Sequence, residues 1–206
     1  MKKILITLLF IGLAQGVKAQ DNSNSSTNYN PYPSHKSDTT ESSDRTAASD
    51  NNTTTLPANV TDGESAKIMV TLNEGEIDAA RMAEKRATNK GVKDFAKMME
   101  NQHKTNEKET KRIAKTEKID LKESDTSKAL KGETTDAGKT LKSASKEDFD
   151  KTYMDQRVAM HQKALDTVNS LIQSAQDETY KQHLEKTRDA ISAHLAHAKQ
   201  VQTIIE

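Results

Sequence analysis

Along most of this chain, apolar residues recur at helical spacing in four segments. In the third segment, Met154, Val158, His161, Leu165, Val168 and Ile172 follow one another at alternating four- and three-residue intervals. A stripe of that kind faces the centre of a helical bundle. One position interrupts it, His161, close to its middle. The same spacing in the last segment picks out Tyr180, Leu184, Thr187, Ile191, His194, Ala198, Val201 and Ile205. In the second it picks out Val92, Ala96, Met99, His103, Asn106, Thr110 and Ile113, with Phe95 alongside; in the first, Met69, Leu72, Glu76, Ala79 and Ala83.

These stripes predict helices over about 64–88, 92–118, 145–173 and 177–205. All four are rich in strong helix formers and free of proline. Asn89-Lys90-Gly91 reads as a tight turn. Ser145 with Asp148 three residues on resembles a helix N-cap, and Asp177 and Glu178 suit the positive end of a helix dipole. Residues 119–145 read as a long polar connection, with Gly132, Gly138 and a modest amphipathic piece at Ala129, Leu130 and Leu141. Two tight turns and one long connection predict an all-α, ferritin-like four-helix bundle with a single crossover between helices 2 and 3. An up-down-up-down bundle would have short loops throughout.

Each predicted helix carries one ligand-capable residue at a core position near its middle: Glu76, His103, His161 and His194. Mid-height is the level that coincides whichever way each helix points, so the four are expected to form one layer. Imidazole nitrogens and a carboxylate oxygen suit a first-row transition metal such as zinc, copper, iron or manganese. Four protein donors would close the coordination shell, which favours a structural or storage role over catalysis. Two alternatives remain. If one donor stays off the metal, the site could activate oxygen or peroxide. Without metal, the layer could be a hydrogen-bonded cluster in which Glu76 accepts from the imidazoles and fixes helix register.

Several neighbours bear on that layer. Glu100 and His103 have the Glu-x-x-His spacing of di-iron bundles, but Glu100 steps off the seam and Ile191 stands where helix 4 would need its counterpart. Met99, one turn before His103, could offer a thioether to copper, although methionine more ordinarily fills gaps in a core this poor in aromatics. His197, one turn past His194, reads as a flank residue that could support the site from outside, as could Met99 and Glu100. His183 precedes the core residue Leu184 and reads as a surface residue.

Composition changes the picture mainly at the N-terminus. Residues 1–19 join Lys2 and Lys3, an apolar run over 4–13 and a small-residue exit at Val17 and Ala19. That is the pattern of a cleavable signal peptide, with cleavage expected after Ala19 and a periplasmic or secreted product. Residues 20–62 are Asn/Ser/Thr-rich, hold all three prolines and read as a disordered linker to a domain over 63–206. Basic and acidic residues balance at 31 each, so nothing suggests a basic face for nucleic acid. No second hydrophobic segment predicts a membrane span in the mature chain, and the lack of cysteine excludes disulfides and thiolate metal sites.

Taken together, Gly-Glu-Ile-Asp-Ala-Ala-Arg-Met-Ala at 75–83, Val-Lys-Asp-Phe-Ala-Lys-Met-Met at 92–99 leading to His103 and Asn106, Phe149 to Met154 leading to His161, and His194-Leu195 carry a family resemblance. The chain resembles, over about 63–206, the bacterial exported family of unknown function numbered 4142, grouped with the ferritin-like superfamily. Members often have Asp-His where this chain has Gln102-His103. The resemblance implies a ferritin-like bundle outside the cytoplasm and supplies no activity. The expectation is therefore an exported bundle that binds one transition-metal ion and serves metal handling or envelope stress tolerance.

Overall fold

In the computed structural model the described residues are 59–205; the expected signal peptide and nearly all of the expected linker lie outside them. Five helices follow one another: α1 (Asp62–Arg86), α2 (Lys90–Thr116), α3 (Asp125–Ser143), α4 (Phe149–Ser174) and α5 (Glu178–Ile205). The all-α expectation holds, but among the described residues the helix count is five and not four. The polar connection over 119–145 is for the most part α3. Its ends are set by local chemistry: Ser124 and Ser127 form a capping box, and the helix gives out at Ala144. Its buried surface is thin, with Thr126, Ser127, Leu130 and Leu141 turned inward.

Capping explains the other boundaries as well. Thr61 and Glu64 cap α1 reciprocally, and the Asn89 side chain accepts from the amides of Gly91 and Val92 at the start of α2. Val60, just upstream, is already buried. Ser145 does accept from the Asp148 amide at 3.1 Å, but that bond closes a turn, and α4 begins at Phe149 instead of 145. At the end of α2, Lys118 takes a left-handed φ of 57° while the Ile119 amide reaches back to the Ala114 carbonyl at 2.7 Å. This is a Schellman ending, built on lysine where glycine is usual.

Three polar clamps fix how the helices run. Asp62, at the start of α1, accepts from the Gln176 and Asp177 amides in the α4–α5 turn, at 3.1 and 2.8 Å. At the opposite end, buried Asp150 in α4 accepts from the Thr88 and Asn89 amides, at 3.0 and 2.7 Å, and from the Thr88 hydroxyl at 2.6 Å. Arg86, closing α1, donates to the Lys142 and Ala144 carbonyls that close α3, at 2.9 and 2.6 Å. Hence α1 is antiparallel to α2 and α4, and α3 climbs beside α1 to bring the chain back to the end where α4 starts. Gly75 permits that close approach, because a Cβ there would lie 2.7 Å from Thr134 Cβ. Among the described residues no helix is long and apolar enough to cross a membrane.

The apolar core falls into two parts. One gathers around Ala80, Ala83, Phe95, Met99, Tyr153 and Met154, the other around Ile68, Met69, Ile113, Leu171, Tyr180 and Leu184. Between them, at mid-height, lies a polar layer. The two turn clamps differ in depth, and that sets their worth. Asp150→Ala would take a buried carboxylate from two partly buried turn amides and should cost about 1–3 kcal/mol in urea denaturation. Asp62→Ala exposes its partners to water and should cost under about 1 kcal/mol.

Candidate metal centre

The polar layer is assembled from four helices. α1 brings Asn73 and Glu76 to it, α2 brings Gln102 and His103, α4 brings Arg157 and His161, and α5 brings His194. His103, His161 and His194 are buried, and their ring centroids stand 5.7, 5.3 and 5.5 Å apart, close to an equilateral triangle. One ring nitrogen from each lies within 4.8 Å of the other two. A triangle of that size has a centre no farther from its corners than a hydrogen-bond length, roughly 2.8 Å.

Hydrogen bonding decides which nitrogen of each ring carries the proton. The Asn73 amide nitrogen donates to the Met69 carbonyl and to Asn106 Oδ1, both at 2.8 Å, so its Oδ1 is the acceptor facing His103. His103 Nδ1 therefore donates to it, at 2.9 Å. His161 Nδ1 donates to the Arg157 carbonyl at 2.9 Å, and His194 Nε2 donates to Gln102 Oε1. The remaining nitrogens, His103 Nε2, His161 Nε2 and His194 Nδ1, hold lone pairs, are sealed from solvent and have no hydrogen-bond partner. Burial favours the neutral rings: it holds His103 down at about 4 and His194 at about 3, and it lowers His161 too. Three closely spaced imidazoles thus each keep one nitrogen free of hydrogen bonds and, at neutral pH, of a proton.

Glu76 reaches the layer but is otherwise engaged. Its Oε2 accepts from Arg157 Nη1 at 2.6 Å, and its Oε1 stands 4.0 Å from His161 Nδ1, beyond hydrogen-bond range. Burial is the largest single influence on this carboxyl and opposes its ionisation. Arg157, joined in acid by protonated His161 and His103, outweighs it and holds the group at about 2. With the imidazoles neutral, Arg157 is the counter-charge. Arg157 is itself fully buried: Nη2 contacts Met160 Sδ at 3.3 Å, and the guanidinium lies 5.3 Å from the Tyr153 ring centre. So the structure brings the three histidines together and sets Glu76 beside them in an ion pair. The imidazoles bond to Asn73, Gln102 and a backbone carbonyl, and the hydrogen-bonded layer centred on Glu76 is not what forms.

The flanking residues divide. Met99 is fully buried in the upper apolar core with Phe95 and acts as packing. Glu100 turns to the surface, bound by Arg81 at 2.8 Å and by Lys104, and takes no part in the layer. His197 lies edge-on to Phe95 at 5.2 Å on the flank of α5. His183 does not sit at the surface as expected. It is buried, its Nε2 2.8 Å from the Thr110 hydroxyl, because the inward face of α5 at this end spans Tyr180, His183, Leu184 and Thr187. Polar contacts extend from His103 through Asn73 to Asn106, whose amide donates to Thr187 at 2.7 Å. These residues line a cavity of about 390 Å³ that reaches the histidines.

Two outcomes follow from this arrangement. Arg157→Met should cost about 3–5 kcal/mol by leaving Glu76 charged, buried and alone, and adding Glu76→Gln should recover most of that in the same denaturation assay. Acid should act in two stages. His103 and His194 have folded pKa values of about 4 and about 3, below their unfolded value of about 6.5, so between pH 6.5 and 4 the unfolded chain takes up protons at these two that the fold refuses. Stability then falls as pH drops, by about 1.4 kcal/mol per pH unit for each histidine. The Glu76 contribution is present above about 4.5 and is lost as pH falls towards 2. Urea midpoints between pH 7.5 and 4 test this, and His103→Gln should remove one histidine's share of the slope.

No curated protein and no solved structure matches the chain. The model of a domain of unknown function (DUF4142) matches residues 45–201, three quarters of the chain, and the protein belongs to that family.

Proposed function

We propose that this protein is an exported helical domain that binds one transition-metal ion through His103 Nε2, His161 Nε2 and His194 Nδ1. The observation that carries the reading is three buried imidazoles that bring one nitrogen each within 4.8 Å of the others and each keep one nitrogen without a hydrogen-bond partner. A water molecule has two protons and could satisfy two of them, leaving the third orphaned at a cost of about 1–3 kcal/mol. A metal ion satisfies all three. With metal–nitrogen bonds of roughly 2.0–2.1 Å, the rings need to close by less than about an ångström. The proton-bearing nitrogens are already anchored on oxygen acceptors, the outer support that orients histidine ligands elsewhere. Neutral imidazoles without thiolates suit zinc, copper or iron.

The pairing of Glu76 with Arg157 alters the expected chemistry. Three protein donors leave the fourth position to an exogenous ligand, the arrangement associated with reactive metal sites and not with closed structural ones. This favours, as a second reading, metal-dependent redox or hydrolytic chemistry over simple storage. The leader-like residues 1–19 support a periplasmic or secreted setting, in which metal handling or envelope stress tolerance is the role that fits.

Untagged protein purified from cells, or apoprotein exposed to zinc, should hold one metal per chain. Metal at a hundredfold excess over Kd should add about 2.7 kcal/mol of stability, roughly 5–10 °C in melting temperature. His161→Ala should abolish both effects. Absence of bound metal together with an unchanged melting curve in zinc, copper and iron would sink the proposal.

A further inference from the structure

Resting on that metal reading, we infer that the cavity beside the three histidines takes a small organic anion, with a carboxylate at the open metal position and an apolar body along the cavity. Charge is the first argument. Imidazole ligands are neutral and leave the full charge of the ion uncompensated. The two carboxylates that line the cavity are both taken up by arginines: Glu76 by Arg157, and Glu109 by Arg112 at 2.7 and 2.8 Å. The third charged residue of the lining is Lys186, whose sign also suits an anion. A divalent ion placed here therefore needs a negative partner from solution.

Shape supplies the second argument. A volume of about 390 Å³ exceeds what a chloride or hydroxide fills and lies within the usual span for small-molecule sites, roughly 300–1,000 Å³. Away from the histidines the walls include Met69, Leu72, Ala164 and Ile191, while Asn106 and Thr187 bond to each other at 2.7 Å. A ligand lying there meets mostly hydrocarbon, and its polar end is best placed at the metal. A bare inorganic anion would leave this surface uncovered.

Cobalt(II)-loaded protein provides the test, because visible absorption of the ion reports a change in its fourth ligand. Acetate and hexanoate, titrated separately, should each perturb the spectrum, with hexanoate binding at least tenfold more tightly. Calorimetry on the apoprotein should detect neither, since three lone pairs repel a carboxylate. Ala164→Leu, which narrows the cavity without touching a ligand, should keep cobalt and bring the two affinities within about threefold. Equal affinities in the wild-type protein, or a cobalt spectrum that neither anion moves, would overturn this inference and leave the metal reading standing. Failure to take up cobalt, zinc, copper or iron would overturn both.

Discussion

The core of this bundle is divided by a layer of groups that do not belong in hydrocarbon, and the rest of the structure accommodates them. A buried carboxylate, a buried guanidinium and three buried imidazoles would each be costly alone. Pairing Glu76 with Arg157 cancels one charge against another, and neutral imidazoles avoid adding more. What remains is geometric: each ring must find an oxygen for its N–H, and those oxygens come from a different place in each case. Asn73 supplies a side-chain amide, α4 its own backbone, and Gln102 an amide from the edge of α2. That allocation ties all four central helices to one rotational setting, since a turn of any helix would orphan several groups at once.

The donor bonds also decide what the site can do. Each imidazole spends its proton outward and keeps its lone pair inward. A layer whose purpose was only to fix register could have closed on itself, each ring donating to the next acceptor. Here three ring nitrogens are buried without hydrogen-bond partners, an arrangement that is unfavourable as it stands. Sites of this kind trade stability for readiness, and the offsetting contributions come from the two apolar regions above and below.

Much of this was legible in the sequence. Four- and three-residue spacing located the three histidines, because a seam position near mid-helix is robust to errors of a turn at the ends. Arg157 escaped because the same spacing from Met154 lands on Val158, one residue away, and a buried arginine contradicts the ordinary preference of charge for water. Its signal was indirect: a lone carboxylate in a core seam requires a cation, and Arg157 lies one turn before His161. His183 escaped for a similar reason, although its distances from Tyr180 and Thr187, three and four residues, place it on their face. α3 was obscured by its glycines and its narrow apolar stripe; the Ser124–Ser127 cap and the lack of proline argued for it. Asn73 and Gln102 are invisible to any periodicity, since their roles depend on contacts between helices.

That narrow stripe has a dynamic consequence. α3 rests on α1 and α4 through few buried side chains, helped by the Lys163–Glu133 ion pair at the surface, and behind it Arg157 lines a gap shared with Gly75 and Gly138. Segments held this lightly open more often than the body of a domain. An opening of α3 would let water reach the guanidinium from behind, because Arg157 lines that gap. Solvent exposure would then weaken the hold of Arg157 on the Glu76 carboxylate and free it to turn towards the imidazoles. The helix with the thinnest buried face thus covers the most deeply buried charge of the layer.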